Sequence, residues 1–182
     1  YMDYTNGYLE LIIGPMFAGK TSKLIELTDY FNKNKVSTLV IGHCKDTRYS
    51  FDKISSHDKM MVDCLKFSTI ENFLEECDID KYNVVLVDEG QFFDDLDLIL
   101  ELVDLYKKHV YIFGLDGDFN RQKFGKILDL IPYCDKVTKL HSICSKCRKP
   151  GLFSKRLVAN QEQTLVGTCN EYTSLCRNCY LL

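Results

Sequence analysis

Nothing in this chain suits a lipid bilayer. No apolar run approaches the ~20 residues that a spanning helix needs, and no signal peptide is visible. A basic face for nucleic acid is missing too. The net charge is −3 and neither half carries a block of like charge. Arginine is scarce, occurring only as Arg48, Arg121, Arg148, Arg156 and Arg177. No internal repeat or low-complexity segment interrupts the chain. The nine cysteines are an odd number, which does not favour a secreted disulfide framework. What remains is a globular chain of 182 residues, 46% apolar and 27% charged, long enough for one domain with a real core plus a small appendage. Tyr1, ahead of Met2, reads as an extra residue and carries no weight.

The stretch that organises the rest is Leu9 to Ser22, LELIIGPMFAGKTS. An aliphatic strand runs into Gly14, and Gly19-Lys20-Thr21 closes a loop before an amphipathic helix with Leu24, Leu27, Thr28 and Phe31 on one face. G-x-x-x-x-G-K-[ST] between strand and helix is a phosphate-cradling loop. Its glycines let successive N–H groups turn toward one anion, and the helix adds its positive end. Lys20 is placed to reach the β and γ phosphates and the Thr21 hydroxyl to ligate Mg²⁺. Further buried strands are expected at Val36–Ile41, Val84–Val87 and Val110–Phe113, with another short strand from Val137. Helices are expected at Ile70–Cys77, opened by a Ser68–Glu71 capping box, at Leu96–Val103, capped by Asp94 or Asp95, and at Phe124–Ile131, stopped by Pro132. Gly42 to Met61 is polar and aperiodic and reads as a long functional loop.

Strands alternating with helices predict an α/β fold, a mainly parallel sheet of the P-loop NTPase type with flanking helices. Ligands on such sheets sit beyond the carboxyl ends of the strands, where Gly14, Asp88-Glu89 and Asp116 all fall. Near Leu140 the helical spacing stops. The expected division is a nucleotide-binding domain over residues 1–140 and, over 141–182, a small domain whose two C-x-x-C pairs, Cys144/Cys147 and Cys176/Cys179, mark it as zinc-binding.

Two constellations carry chemistry. Asp88 closes a hydrophobic strand, where a carboxylate holds Mg²⁺ beside the loop hydroxyl, and the adjacent Glu89 is the candidate base for a substrate hydroxyl. Phe92, Phe93, Phe119 and Phe124 lie near strand ends, where rings can sandwich a flat base, although core packing is the commoner use of any one of them. Few arginines favour a neutral acceptor such as a nucleoside over a monophosphate. Arg48, in the long loop, is a candidate for stabilising the transferring phosphoryl group. The second constellation is two C-x-x-C pairs, Cys144/Cys147 and Cys176/Cys179, which offer four thiolates for a closed, structural tetrahedral Zn²⁺. Cys44, Cys64, Cys77, Cys134 and Cys169 read as ordinary thiols. A rival reading, an ATPase with a zinc ribbon that reads nucleic acid, lacks a basic-aromatic stripe. A GTPase lacks an N-K-x-D element.

GPMFAGKTSKL, DTRYS, HDK, VDEGQFF, LDGDFNRQKFG, SKRL and the two C-x-x-C pairs occur together and in order. In this the chain resembles the zinc-containing thymidine kinases of cells and large DNA viruses, from about Leu9 to Tyr180. The resemblance implies transfer of the ATP γ-phosphate to the 5′-hydroxyl of thymidine or deoxyuridine, with Mg²⁺. It assigns Glu89 as catalytic base. Gly14, Pro15, Met16, Phe17, Ala18, Gly19, Lys20 and Thr21 match the phosphate loop, Asp88 the acid at the metal, and Asp46, Arg48 and Gln91 other groups of the nucleotide site. Met16, Phe92, Phe119, Phe124 and Tyr172 match the thymidine pocket, and Leu165, Val166, Gly167 and Thr168 a lasso whose main chain bonds the thymine. It further implies a cytoplasmic homotetramer inhibited by thymidine triphosphate, with no nucleic-acid or membrane partner. The chain departs from the family pattern at Ala18, at Asp118, Asn120, Gln122 and Lys123 between the pocket phenylalanines, and at Thr168.

Overall fold

The computed structural model describes residues 5–46, 53–55, 61–165 and 167–182. Arg48 and Val166, both named above, lie outside the described residues. Six strands form one sheet: β1 (Tyr8–Ile13), β2 (Thr38–His43), β5 (Leu65–Phe67), β6 (Val84–Val87), β7 (His109–Gly114) and β8 (Lys136–Lys139), in the order β5-β2-β6-β7-β1-β8. Every pairing within it is parallel. Both faces must then be covered, because crossovers lay helices on each side. Alternate residues accordingly enter different cores. Leu9, Leu11, Ile13, Val85, Val87, Val110 and Ile112 pack on one face with α2 (Ile70–Glu76) and the 96–104 segment. Ile12, Val40, Val84, Leu86 and Phe113 pack on the other with Leu24, Ile25 and Phe31 of α1 (Lys20–Lys33). Each such side chain, fully buried, contributes about 1.5–3 kcal/mol. Among the described residues no helix is long and apolar enough to cross a membrane.

Several local expectations are corrected. The 42–61 stretch is not all loop: β3 (Lys53–Ser55) and β4 (Met61–Asp63) pair antiparallel. The cap of α2 is Thr69 rather than Ser68, its hydroxyl accepting from Asn72 N–H at 3.0 Å. Asp95 does not cap the segment that follows it. Its carboxylate reaches across to the first amides of α2, accepting from Ile70 and Glu71 N–H at 2.9 Å each. The 96–104 segment is a 3₁₀ turn at Leu96–Ile99 followed by the short α3 (Leu100–Asp104). Phe124 lies on no helix, since Gly125 adopts φ 61° and the following turns, Ile127–Tyr133, are 3₁₀ and include Pro132.

Beyond β8 the chain forms two small antiparallel pairs. These are β9 (Ser142–Ile143) with β10 (Pro150–Gly151), and β11 (Phe153–Arg156) with β12 (Tyr172–Leu175). A terminal α4 (Arg177–Leu181) follows. Their own core consists of Cys144, Leu175, Cys176 and Cys179, with Tyr180 against it.

Candidate active site

The loop after β1 is shaped by backbone that ordinary side chains resist. Gly14 has φ 156°, and a Cβ there would stand 2.6 Å from the Leu140 carbonyl oxygen. Gly19 takes φ 80° as N-cap of α1 and supplies no side-chain cap, so the first amides of the helix are left to whatever the loop encloses. Phe17 also adopts a left-handed conformation, φ 63°. The Lys20 ammonium donates to the carbonyls of Gly14 and Pro15 at 3.1 and 2.7 Å, inside the ring of the loop. Met16 N–H donates to Ser154 Oγ at 2.9 Å, which ties the loop to β11.

Strand β6 delivers the acids. Asp88 N–H donates to the Ile41 carbonyl at 2.8 Å, fixing the end of β6 against β2. Glu89 then turns left-handed, φ 50° and ψ 46°, a conformation that costs a non-glycine residue about 1–3 kcal/mol and collects at functional sites. Its Oε2 accepts from Gln91 Nε2 at 2.5 Å, while Gln91 Oε1 accepts from Leu115 N–H at 3.1 Å. The Glu89 carboxylate is thereby oriented by a group itself anchored to the end of β7. Asp46, Asp88 and Glu89 are all buried, and one oxygen from each lies within 4.8 Å of the others, a set able to hold a divalent cation.

A cavity of about 310 Å³ opens between the loop and the segments after β11. Met16, Phe17, Ala18, Gly19, Lys20 and Thr21 border it, with Glu89, Gln91 and Phe92. Phe119, Phe124, Leu165, Gly167, Thr168 and Tyr172 border the remainder. Phe92 and Phe124 meet edge to face, with centroids 6.0 Å apart and planes at 83°. Gly14, Pro15, Asp46 and Asp88 do not line this cavity, although an oxygen of each acid lies within 4.8 Å of one from Glu89.

Sequence reasoning passed over several of the residues that hold the cavity's far wall. Arg156, on β11, is buried and lies over the Phe119 ring, its guanidinium carbon 3.9 Å from the centroid. Its Nε donates to the Tyr172 hydroxyl at 3.2 Å, and its other nitrogens donate to the carbonyls of Asn160, Glu162 and Gln163. Tyr172 in turn donates to the Leu165 carbonyl at 2.8 Å. One planar fork therefore orders both a pocket ring and the base of the 157–171 loop. Asp118, set apart earlier only as a departure, accepts from Gln163 Nε2 at 2.8 Å and clasps that loop to the 117–123 turn. Cys169 is exposed, as an ordinary surface thiol would be, and also borders the cavity. The signal for Arg156 was its presence in SKRL; nothing local marks the clasp.

At the opposite end of β12 the thiols of Cys144, Cys147, Cys176 and Cys179 lie within 4.8 Å of one another. Zn–S bonds of about 2.3 Å in a tetrahedron put sulfurs about 3.8 Å apart, so the four suit such an ion. Cys147 and Cys176 Sγ are already 3.5 Å apart.

A parallel sheet with a phosphate loop after its first strand and an acid pair after β6, one strand removed from β1 across β7, defines a P-loop nucleotide-binding protein. A family model described as thymidine kinase matches residues 7–180, and the chain belongs to that family of kinases. It is 37% identical over 181 residues to the thymidine kinase of Sheeppox virus (strain KS-1), covering 100% of this chain and 99% of that one. It is 38% identical over 178 residues to thymidine kinase 1 of Dictyostelium discoideum, covering 96% and 78% of the two. Against the cytosolic thymidine kinase of Bos taurus the identity is 36% over 176 residues, covering 97% and 73%.

Proposed function

We propose that this chain transfers the γ-phosphoryl group of ATP to the 5′-hydroxyl of thymidine, and of deoxyuridine, giving the nucleoside monophosphate and ADP. The observation that carries the reading is Glu89, a buried carboxylate oriented by Gln91 that lines one cavity together with the phosphate loop and several aromatic rings. In the reaction the Glu89 carboxylate accepts the proton of the 5′-hydroxyl. The nucleoside oxygen then bonds to the γ-phosphorus as the bond to the ADP oxygen breaks. The loop amides and Lys20 hold the phosphates. Phe92, Phe119, Phe124 and Tyr172 enclose the base with Met16, and the 165–168 main chain reads its edge. Gly14 to Thr21, Asp46, Arg48, Asp88 and Gln91 serve the nucleotide side.

Asp46, Asp88 and the Thr21 hydroxyl would hold Mg²⁺, which when bound neutralises phosphate charge. Zn²⁺ on Cys144, Cys147, Cys176 and Cys179 would be structural, since four thiolates leave it no open position. Residues 141–182 form the zinc-binding unit and 1–140 the nucleotide-binding one. A cytoplasmic homotetramer and inhibition by thymidine triphosphate complete the reading, on the strength of family membership.

The test is transfer of labelled phosphate from ATP to each natural nucleoside. Label on thymidine and deoxyuridine is the expected result. ATP hydrolysis stimulated by nucleic acid, with no labelled nucleoside, overturns it.

A further inference from the structure

Strand β5 carries a charge that this scheme leaves unused. The Lys66 side chain is only 2% exposed, and its ammonium makes no hydrogen bond among the described residues. The carboxylate it meets is Asp46, whose Oδ2 is 4.0 Å away. Room for the head group comes from Gly42, directly opposite on β2. A Cβ there would stand 3.0 Å from Lys66 Nζ and 3.4 Å from its Cδ. A glycine inside a strand often marks such a close approach.

A buried ammonium is expensive unless a negative charge faces it. The other group beside Gly42 is the Cys64 thiol. It does not serve as that charge, because burial pushes it up to about 12 and the nearby Asp88 and Asp46 push the same way against the pull of Lys66. The counter-charge is the acid cluster. Three buried carboxylates within 4.8 Å repel one another, and a positive charge beside them offsets part of that repulsion.

We propose that Lys66 is a resident counter-ion of the Asp46–Asp88–Glu89 cluster, a positioning residue that steadies Asp46 and weakens the cluster's hold on a divalent cation until nucleotide arrives. This rests on the reading of Asp46 and Asp88 as the metal-holding side of the site, beside the base Glu89. The fixed positive charge near Asp46 opposes a second cation, and the phosphates of an incoming triphosphate supply the negative charge that tips the balance.

The experiment measures Mn²⁺ binding to the full chain without nucleotide, by loss of the free-ion electron paramagnetic resonance signal, together with melting in the presence and absence of Mn²⁺. Lys66→Met is expected to bind Mn²⁺ at least about tenfold more tightly than the parent and to gain more from it in melting temperature. Lys66→Arg, which keeps the charge, should stay near the parent. Saturable Mn²⁺ binding to parent and Lys66→Met within twofold of each other overturns the role of Lys66 alone. Failure of both to bind Mn²⁺ overturns the reading of the acids as well. Should Lys66→Met not fold, Lys66→Met/Asp46→Asn, which removes both charges, is expected to restore folding; its failure to do so also overturns the proposal.

Discussion

The two walls of the cavity are built by different means. The loop after β1 and the acids after β6 hang from a sheet buried on both faces, with twenty core side chains on one side and ten on the other among the described residues. The wall from β9 to α4 has a core of four residues, three of them cysteines. The first wall is held by apolar burial and can therefore carry strain, as at Glu89 and Phe17. The second has a small apolar core and is held by one arginine fork and, on the proposed function, by Zn²⁺ on its four thiols. The proposed function puts the chemistry on the side whose fold is secure and divides base recognition between that side, with Met16, Phe92, Phe119 and Phe124, and the side whose fold is conditional, with residues 165–168 and Tyr172.

The sharpest way to break this contrast is to remove the zinc proposed for the four thiols. Structural zinc brings an apparent binding free energy of about 10–16 kcal/mol in small zinc-finger peptides, and metal binding in such domains is folding free energy. Chelation, or Cys147→Ser, is expected to make residues 141–182 cleavable by protease and their amides fast to exchange, while β1, β6 and β7 stay protected. Equal protection of both walls in metal-free protein would make the second core self-sufficient and end the distinction.

The opposite result is expected from Glu89→Gln. It should lower turnover by about 10²–10⁴, or about 3–5 kcal/mol, with nucleotide binding and melting temperature near those of the parent. Here the first wall loses chemistry without losing fold. Single-turnover rates beside a melting curve check it, and parental turnover in the variant removes Glu89 as the base.

What the sequence made legible divides along the same line. The strand–loop–helix at Leu9–Ser22, the parallel sheet and the gathering of the four thiols all follow from contiguous patterns or short fixed spacings, and the structure has them. Eight residues that the resemblance assigned to the acceptor pocket border one cavity: Met16, Phe92, Phe119, Phe124, Leu165, Gly167, Thr168 and Tyr172. Illegible were the contacts made across long stretches of chain. Asp95 caps a helix 24–25 residues earlier, and Gln163 clasps Asp118 from 45 residues away. Lys66 faces Asp46 only because β5 lies beside β2. Phe124 was misread because its i, i+3, i+4, i+7 spacing suits a helix, whereas Gly125 at φ 61° breaks one, and the Gln91 carbonyl, 2.3 Å from where a Cβ would stand, requires a glycine.

A smaller effect separates the thiol cluster from the arginine fork on the second wall. Hydrogen bonds to charged groups contribute about 1.5–3 kcal/mol each, but several of the Arg156 partners are carbonyls that water can satisfy once the loop opens. Arg156→Lys keeps the charge and loses the planar fork that spans Tyr172 and the 160–163 carbonyls. It is expected to raise the KM for nucleoside more than tenfold, with a lesser change in kcat and a melting temperature lower by several degrees. An unchanged KM would leave the fork with a purely structural part.

The smallest effect probes the secure wall. His43, at the end of β2, is buried, and its Nδ1 accepts from Lys45 N–H at 3.0 Å, so Nε2 carries the proton and donates to the Ser68 carbonyl at 2.9 Å. Burial lowers its pKa from the ordinary 6.5, the Ser68 carbonyl opposing the shift. The unfolded chain therefore takes up this proton more readily than the folded one. The contribution of His43 is fully present above about pH 6.5 and is lost as pH falls through its lowered folded value, with a slope of at most about 1.4 kcal/mol per pH unit. Protonation would also take the Nδ1 acceptor from Lys45, next to Asp46. Denaturant unfolding from pH 7 to 5 should thus show the parent losing stability relative to His43→Gln, which keeps a donor and an acceptor but does not titrate. Parallel pH profiles for the two proteins would mean that the His43 turn is as soft as the second wall, and that the β2 end of the sheet does not belong with the rigid side.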